Sequence, residues 1–202
     1  MKLYYSSGSC ALSPHIILEE AGLAYQIEAV DLKSTPHLTA SGRPLTELTD
    51  KGYVPVLQLD NGEILTEGAV IVQYLADQVP DKHLAPANGT LERYRLQEWL
   101  NFIASEIHKG FSPLWSPVTT PEVKQAALER IGKRLSLIDA RLSKMDYLLG
   151  EFSVADAYLF TCVNWTNFLK VSLEPWPALL KFQARMAARP AVQRALKAEG
   201  LI

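Results

Sequence analysis

A chain of 202 residues with a net charge of -2 and a pI near 6.1 can bury one large core or two modest ones, and it presents no broad basic field for nucleic acid or an acidic membrane surface. No apolar run approaches the roughly 20 residues that span a bilayer, and Met1-Lys2-Leu3-Tyr4-Tyr5 lacks a signal-peptide pattern, so a cytoplasmic protein is expected. Cys10 and Cys162 stand without C-x-x-C or H-E-x-x-H spacing, which supports neither a disulfide scaffold nor a metal site.

Residues 1 to about 80 alternate short strands and helices. From about 88 to 202 the pattern is helical only, with Pro80, Pro86 and Asn88-Gly89 marking the transition; this divides the chain into an α/β domain (1–80), a linker (81–87) and an all-α domain (88–202). Lys2–Tyr5 reads as a strand, and Ser6-Ser7-Gly8-Ser9 as a turn. The first helix runs from Cys10 to Gly22, with Ser13 as its cap and Pro14 in its first turn. Gln26–Leu32 is a second strand, and Lys33–Asp50 a polar loop with a short helix at most. Strands 56–59 and 63–65 flank Asp60-Asn61-Gly62, a strong hairpin signal because a tight turn needs residues that tolerate positive φ.

Two junctions around that hairpin bear on function. Val54-Pro55 forces the chain to bend, and a cis bond there would turn the Val54 N–H and C=O toward an extended peptide ligand. Thr66-Glu67-Gly68 opens a helix whose first N–H groups have no intrahelical partner and can hold a carboxylate. Together they suit a small, acidic, peptide-like ligand.

In the second half, a helix over about 91–109 carries the apolar stripe Leu96, Leu100, Ile103, Ile107 beside a polar stripe of Glu98, Asn101, Ser105 and His108. Lys109-Gly110 is expected to end it, leaving Phe111–Trp115 as an aromatic loop over a cleft. Pro121–Lys144 is a structural amphipathic helix. Ser153 and Asp156 form a cap signature ahead of Ala157–Val163, which is apolar all round and therefore a buried helix with Cys162 as packing. A further helix starts at Pro175-Trp176-Pro177, and the remainder completes the bundle.

Cys10 sits after a Gly/Ser turn at a helix mouth, where unpaired N–H groups favour a thiolate, and with Ser13 in place of a second cysteine it can react only with an external thiol. His15 reads as a packing or helix-surface residue. His37 and His83 carry no signal, whereas His108 ends the polar stripe, where imidazole can donate to a sulfur or a carboxylate.

These residues resemble the cytosolic glutathione S-transferases, specifically the bacterial beta class. The likeness is carried by Lys2–Tyr5 with Gly8-Ser9-Cys10, Ser13-Pro14-His15, Val54-Pro55-Val56-Leu57, Leu65–Gly68, Glu98–Asn101, His108–Gly110 and Val154–Phe160, and it covers the whole chain. It implies a thioredoxin-like N-terminal domain with a mixed four-stranded sheet, an all-α C-terminal bundle, a homodimer, and glutathione as co-substrate held between the domains, with no metal. Residue by residue it makes Cys10 and His108 catalytic. It places glutathione against Cys10, Lys33, Thr35, Tyr53, Val54, Pro55, Glu67, Gly68, Asn101 and His108, with Ser105 and Glu106 reaching in from the other subunit. The electrophile would meet Tyr5, Phe111, Trp115 and Trp165. Three positions depart from the family pattern: Ala11 stands for a hydroxyl residue, Tyr53 for glutamine, and Thr35 for a lysine that meets the glycyl carboxylate, a role Lys33 would take.

The reaction implied is transfer of glutathione to small hydrophobic electrophiles, with thiol–disulfide or peroxidase chemistry as an extension. Two other functions stay open on the residues: a monothiol, glutaredoxin-like oxidoreductase using Cys10, and a non-enzymatic binding module of the same fold.

Overall fold

The computed structural model describes residues 1–202 and divides them into two compact units, 1–84 together with 189–202, and 85–188. The first is built on strands β1 (Lys2–Tyr5), β2 (Gln26–Asp31), β3 (Leu38–Thr39), β4 (Val56–Gln58) and β5 (Ile64–Thr66), with helices α1 (Leu12–Ala21) and α2 (Gly68–Asp77). Its sheet order is β3-β2-β1-β4-β5. β1 and β2 are parallel, with Leu3 opposite Ile27, and every other pairing is antiparallel. This is the thioredoxin-like β/α arrangement with a mixed sheet. It has five strands where four were expected, because Leu38-Thr39 inside the polar loop pairs with Val30 and Asp31.

Alternation along the strands gives each face of the sheet its own core. Leu3 and Leu57 are fully buried, as are Ile16 and Ile17 of α1 and Ile71 and Leu75 of α2. On the opposite side Tyr4 and Val56 cluster with Ala11, Val30, Leu45 and Val54. The hairpin forms as its sequence predicts: Leu59 N–H donates to the Glu63 carbonyl at 2.8 Å, and Gly62 takes φ 88°.

The second unit is helical throughout: α3 (Leu91–Phe102), a π-helical turn (Ile103–His108), α4 (Lys109–Trp115), α5 (Pro121–Leu142), α6 (Val154–Leu169) and α7 (Pro177–Ala187). Thr90 caps α3 and Thr120 caps α5, each accepting a backbone N–H three residues on. Asp156 caps α6 from inside. Its carboxylate accepts the Ser153 N–H and hydroxyl at 2.9 and 3.0 Å and the Leu148 N–H at 2.9 Å. Burial outweighs these bonds and pushes the Asp156 carboxyl up to about 6.

Two expectations about this half are corrected. Phe111–Trp115 is helix rather than loop: Gly110 does not stop the chain but lets it pass close to α5, where a Cβ would sit 3.1 Å from Ile131 Cγ1. The last segment does not complete the bundle. Helix α8 (Pro190–Ala198) buries Ala191, Val192, Ala195 and Leu196 and packs on α1, with Arg189 paired to Glu20 at 2.6 Å. An amphipathic pattern declares a face to be buried but not against what.

Candidate active site

In the first unit the cysteine turn is tied down by its own serines. Cys10 lies just ahead of α1, and its half-buried thiol donates to the Val54 carbonyl at 3.5 Å. Ser13 is the second residue of α1 rather than its cap, and its hydroxyl donates to the Cys10 carbonyl at 2.9 Å; Ser9 Oγ accepts the Ala11 N–H at 3.2 Å. Val54-Pro55 is cis, as is Thr35-Pro36. Val54 is 5% exposed, yet its N–H donates to no group of the chain. Backbone amides of buried residues are nearly always paired, so this one stands out as a donor open to a ligand.

Glu67 holds φ 70° and ψ 108°, a conformation uncommon for any residue but glycine that costs on the order of 1–3 kcal/mol. The bend leaves the Glu67 carbonyl to accept the Val70 and Ile71 N–H groups at 2.9 Å each, while the Gly68 and Ala69 N–H groups meet no acceptor in the chain. Glu67 Oε1 accepts Lys51 Nζ at 2.6 Å and the Tyr53 hydroxyl at 2.8 Å, contacts that raise the pKa of both donors. A Cβ on Gly68 would lie 3.6 Å from Pro55 Cγ and 3.8 Å from Ser13 Oγ. Cys10, Ser13, Val54, Pro55 and Gly68 are thus one cluster, with Glu67 adjoining. Lys33 and Thr35 are exposed, and the structure connects neither to it.

Behind the cluster, His15 is fully buried. Its Nδ1 meets Glu199 Oε1 at 2.9 Å and its Nε2 the Tyr25 hydroxyl at 3.1 Å. Glu199 also accepts the Gly8 N–H on Oε2 at 2.9 Å and the Ser7 hydroxyl on its carbonyl at 2.6 Å. The turn before Cys10 is therefore fastened to the last residues of the chain. Tyr5 stacks at a tilt on His15, 6.1 Å between centroids.

In the second unit the polar stripe lies on helix, its last two members within the π turn, and several side chains there already have partners. Glu98 pairs with Arg95, Ser105 donates to the Asn101 carbonyl, and Glu106 accepts Arg134 Nε at 2.7 Å and Arg130 at 3.4 Å, which lowers its pKa. His108 ends the π turn with Nδ1 2.7 Å from the Tyr158 hydroxyl and its ring 4.9 Å from that of Trp165. Phe111 and Trp115 also meet Trp165 edge-on, at 5.7 and 6.2 Å. Three of the four aromatics assigned to an electrophile do come together, while Tyr5 lies in the first unit against His15. Phe111 and Trp165 are buried, however, and Trp115 is half exposed.

Lys51, Tyr158 and Glu199 were given no site role from the sequence. Lys51 adjoins the Gly52-Tyr53-Val54 bend, and Tyr158 is the only phenol in an apolar helix, so each left a faint signal; nothing in the chain near Glu199 points to residue 8.

Residues 8–78 match the family described as glutathione S-transferase, N-terminal domain, and residues 102–190 its C-terminal domain. Over the full length of both proteins the chain is 43% identical to the glutathione S-transferase GstA of Escherichia coli O157:H7. Among solved structures it is similar to BphK, a bacterial transferase described as a ternary complex (55% identity, TM-score 0.96, 99% of this chain and 100% of that one). It is also similar to a sphingomonad transferase complexed with glutathione (44%, TM-score 0.95, both chains fully covered). The chain belongs to the glutathione S-transferase family and is an enzyme of that class. Within the family it groups with the bacterial beta class, as its likeness to the Sphingomonas chungbukensis beta-class enzyme shows (43% identity, TM-score 0.96, both chains fully covered).

Proposed function

We propose that the protein transfers glutathione to small hydrophobic electrophiles from a site centred on Cys10 and Val54. The observation that carries this is the set of three backbone donors without acceptors, at Val54, Gly68 and Ala69, around one half-buried thiol. The cysteinyl part of glutathione pairs with the Val54 backbone as an added strand. Its γ-glutamyl carboxylate takes the Gly68 and Ala69 amides at the positive end of α2, and its ammonium takes the Glu67 carboxylate. Asn101 and His108, with Ser105 and Glu106 of a second subunit, supply the remaining contacts, and the electrophile lies toward Tyr5, Trp115, Phe111 and Trp165. The enzyme works as a homodimer.

A free glutathione thiol titrates near 8.5, so each unit by which the site lowers it multiplies the thiolate about tenfold near neutral pH. The test is direct. The protein should be retained on glutathione resin and turn over a generic aryl halide; failure of both abandons the proposal. The half-exposed Cys10 thiol supports one second reading, redox transfer through a mixed disulfide. A stable glutathione adduct on Cys10 by mass spectrometry, with turnover abolished in Cys10→Ser, selects it over conjugation. Light scattering near 22.5 kDa at micromolar concentration would refute the dimer.

A further inference from the structure

We infer that Tyr158 is a positioning residue for His108, donating its hydroxyl to Nδ1 and so keeping the imidazole proton on Nε2. This deepens the transferase proposal and rests on its assignment of His108 to glutathione. Neutral imidazole has one donor and one acceptor nitrogen, and which is which is set by the partner of one of them. The 2.7 Å separation is typical of a hydroxyl donor, whereas an imidazole N–H donor prefers about 2.9–3.0 Å.

Tyr158 is held where it can do this. It is 3% exposed in α6, its ring lies edge-on to His108 at 5.9 Å and 89°, and Trp165, seven residues on along the same helix, closes on the imidazole at 70°. The π turn brings His108 to this pair; such turns re-aim side chains within a helix and recur at functional sites. With Nδ1 engaged as acceptor, His108 acts as a hydrogen-bond donor rather than a base. That suits the stabilisation of a thiolate or carboxylate, and it does not suit removal of the thiol proton.

The test reads the proton itself. In protein carrying 15N-histidine, with His108 assigned by its loss in His108→Gln, the wild type should show a protonated Nε2 and a bare Nδ1. In Tyr158→Phe the two nitrogen shifts should move toward each other as the tautomers mix. In the same variant kcat should fall about tenfold, the scale of one lost positioning hydrogen bond, while KM for glutathione changes less than twofold and the thermal midpoint stays within a few degrees. A wild-type proton on Nδ1, or shifts unmoved in Tyr158→Phe, overturns the inference. If the Phe variant does not fold, the wild-type spectrum alone decides it. Because that spectrum needs no substrate, a protein that ignores glutathione would sink the transferase proposal while the place of the proton is still read.

Discussion

The two units hold their candidate functional groups by different means. In the first the groups are mostly main chain: the Val54 amide, the bend at Glu67, and the free amides at the start of α2. In the second they are side chains braced by other side chains, His108 by Tyr158 and Trp165, on a helix whose start is held by the Asp156 carboxylate. Main-chain groups tolerate changes of side chain, which is why Ala11 and Tyr53 can stand at family positions without dismantling the cluster; Tyr53 even finds a partner in Glu67. A braced side chain fails when its brace is removed. The difference teaches where substitutions should hurt.

The harshest blow should be Asp156→Ala, which strands two buried N–H groups and a hydroxyl at the mouth of α6. A loss of about 3–5 kcal/mol is expected from denaturant midpoints, and a loss under 1 kcal/mol would break the contrast. Gly110→Ala is milder. The new methyl must push Ile131 aside, at a cost that exceeds the gain in helix propensity by about 1 kcal/mol. Acid sharpens the comparison by acting on the units in opposite senses. Burial would raise the Glu28 carboxyl, but bonds from Ser41, Lys2 and Thr39 prevail and lower it to about 2. Its stabilising contribution is therefore complete above about 4.5 and drains away as pH falls toward 2; Glu28→Gln should flatten that part of the stability curve. Asp156, raised to about 6, is protonated first in the folded state, so its term favours folding as pH falls from 6 toward 4. The smallest effect should come from Lys51→Gln: the pair with Glu67 is exposed, and the thermal melt of the variant should overlay that of the wild type.

Much of this was legible in the residues. The hairpin announced itself in Asp60-Asn61-Gly62, the bend in Val54-Pro55, and the buried helix in the Ser153–Asp156 signature, because turns and caps are local chemistry. What stayed hidden was non-local. Gly110 looked like a stop because a glycine that ends a helix and one that admits a neighbouring helix are the same letter. The π turn keeps the apolar spacing of an ordinary helix, so Leu96 to Ile107 read as one regular stripe. Ser13 looked like a cap, yet α1 begins two residues sooner than that cap would allow, at Leu12, and turns the Ser13 hydroxyl back to Cys10. Nor could spacing show that α8 belongs with α1, or that Glu106 is already claimed by two arginines.

The bond from Gly8 to Glu199 joins residues 191 positions apart. Synthesis runs from N- to C-terminus, so the cysteine turn is made 191 residues before the carboxylate that fastens it. Over that stretch of synthesis the turn lacks this anchor, so the order in which the chain is made is not the order in which the turn becomes fixed.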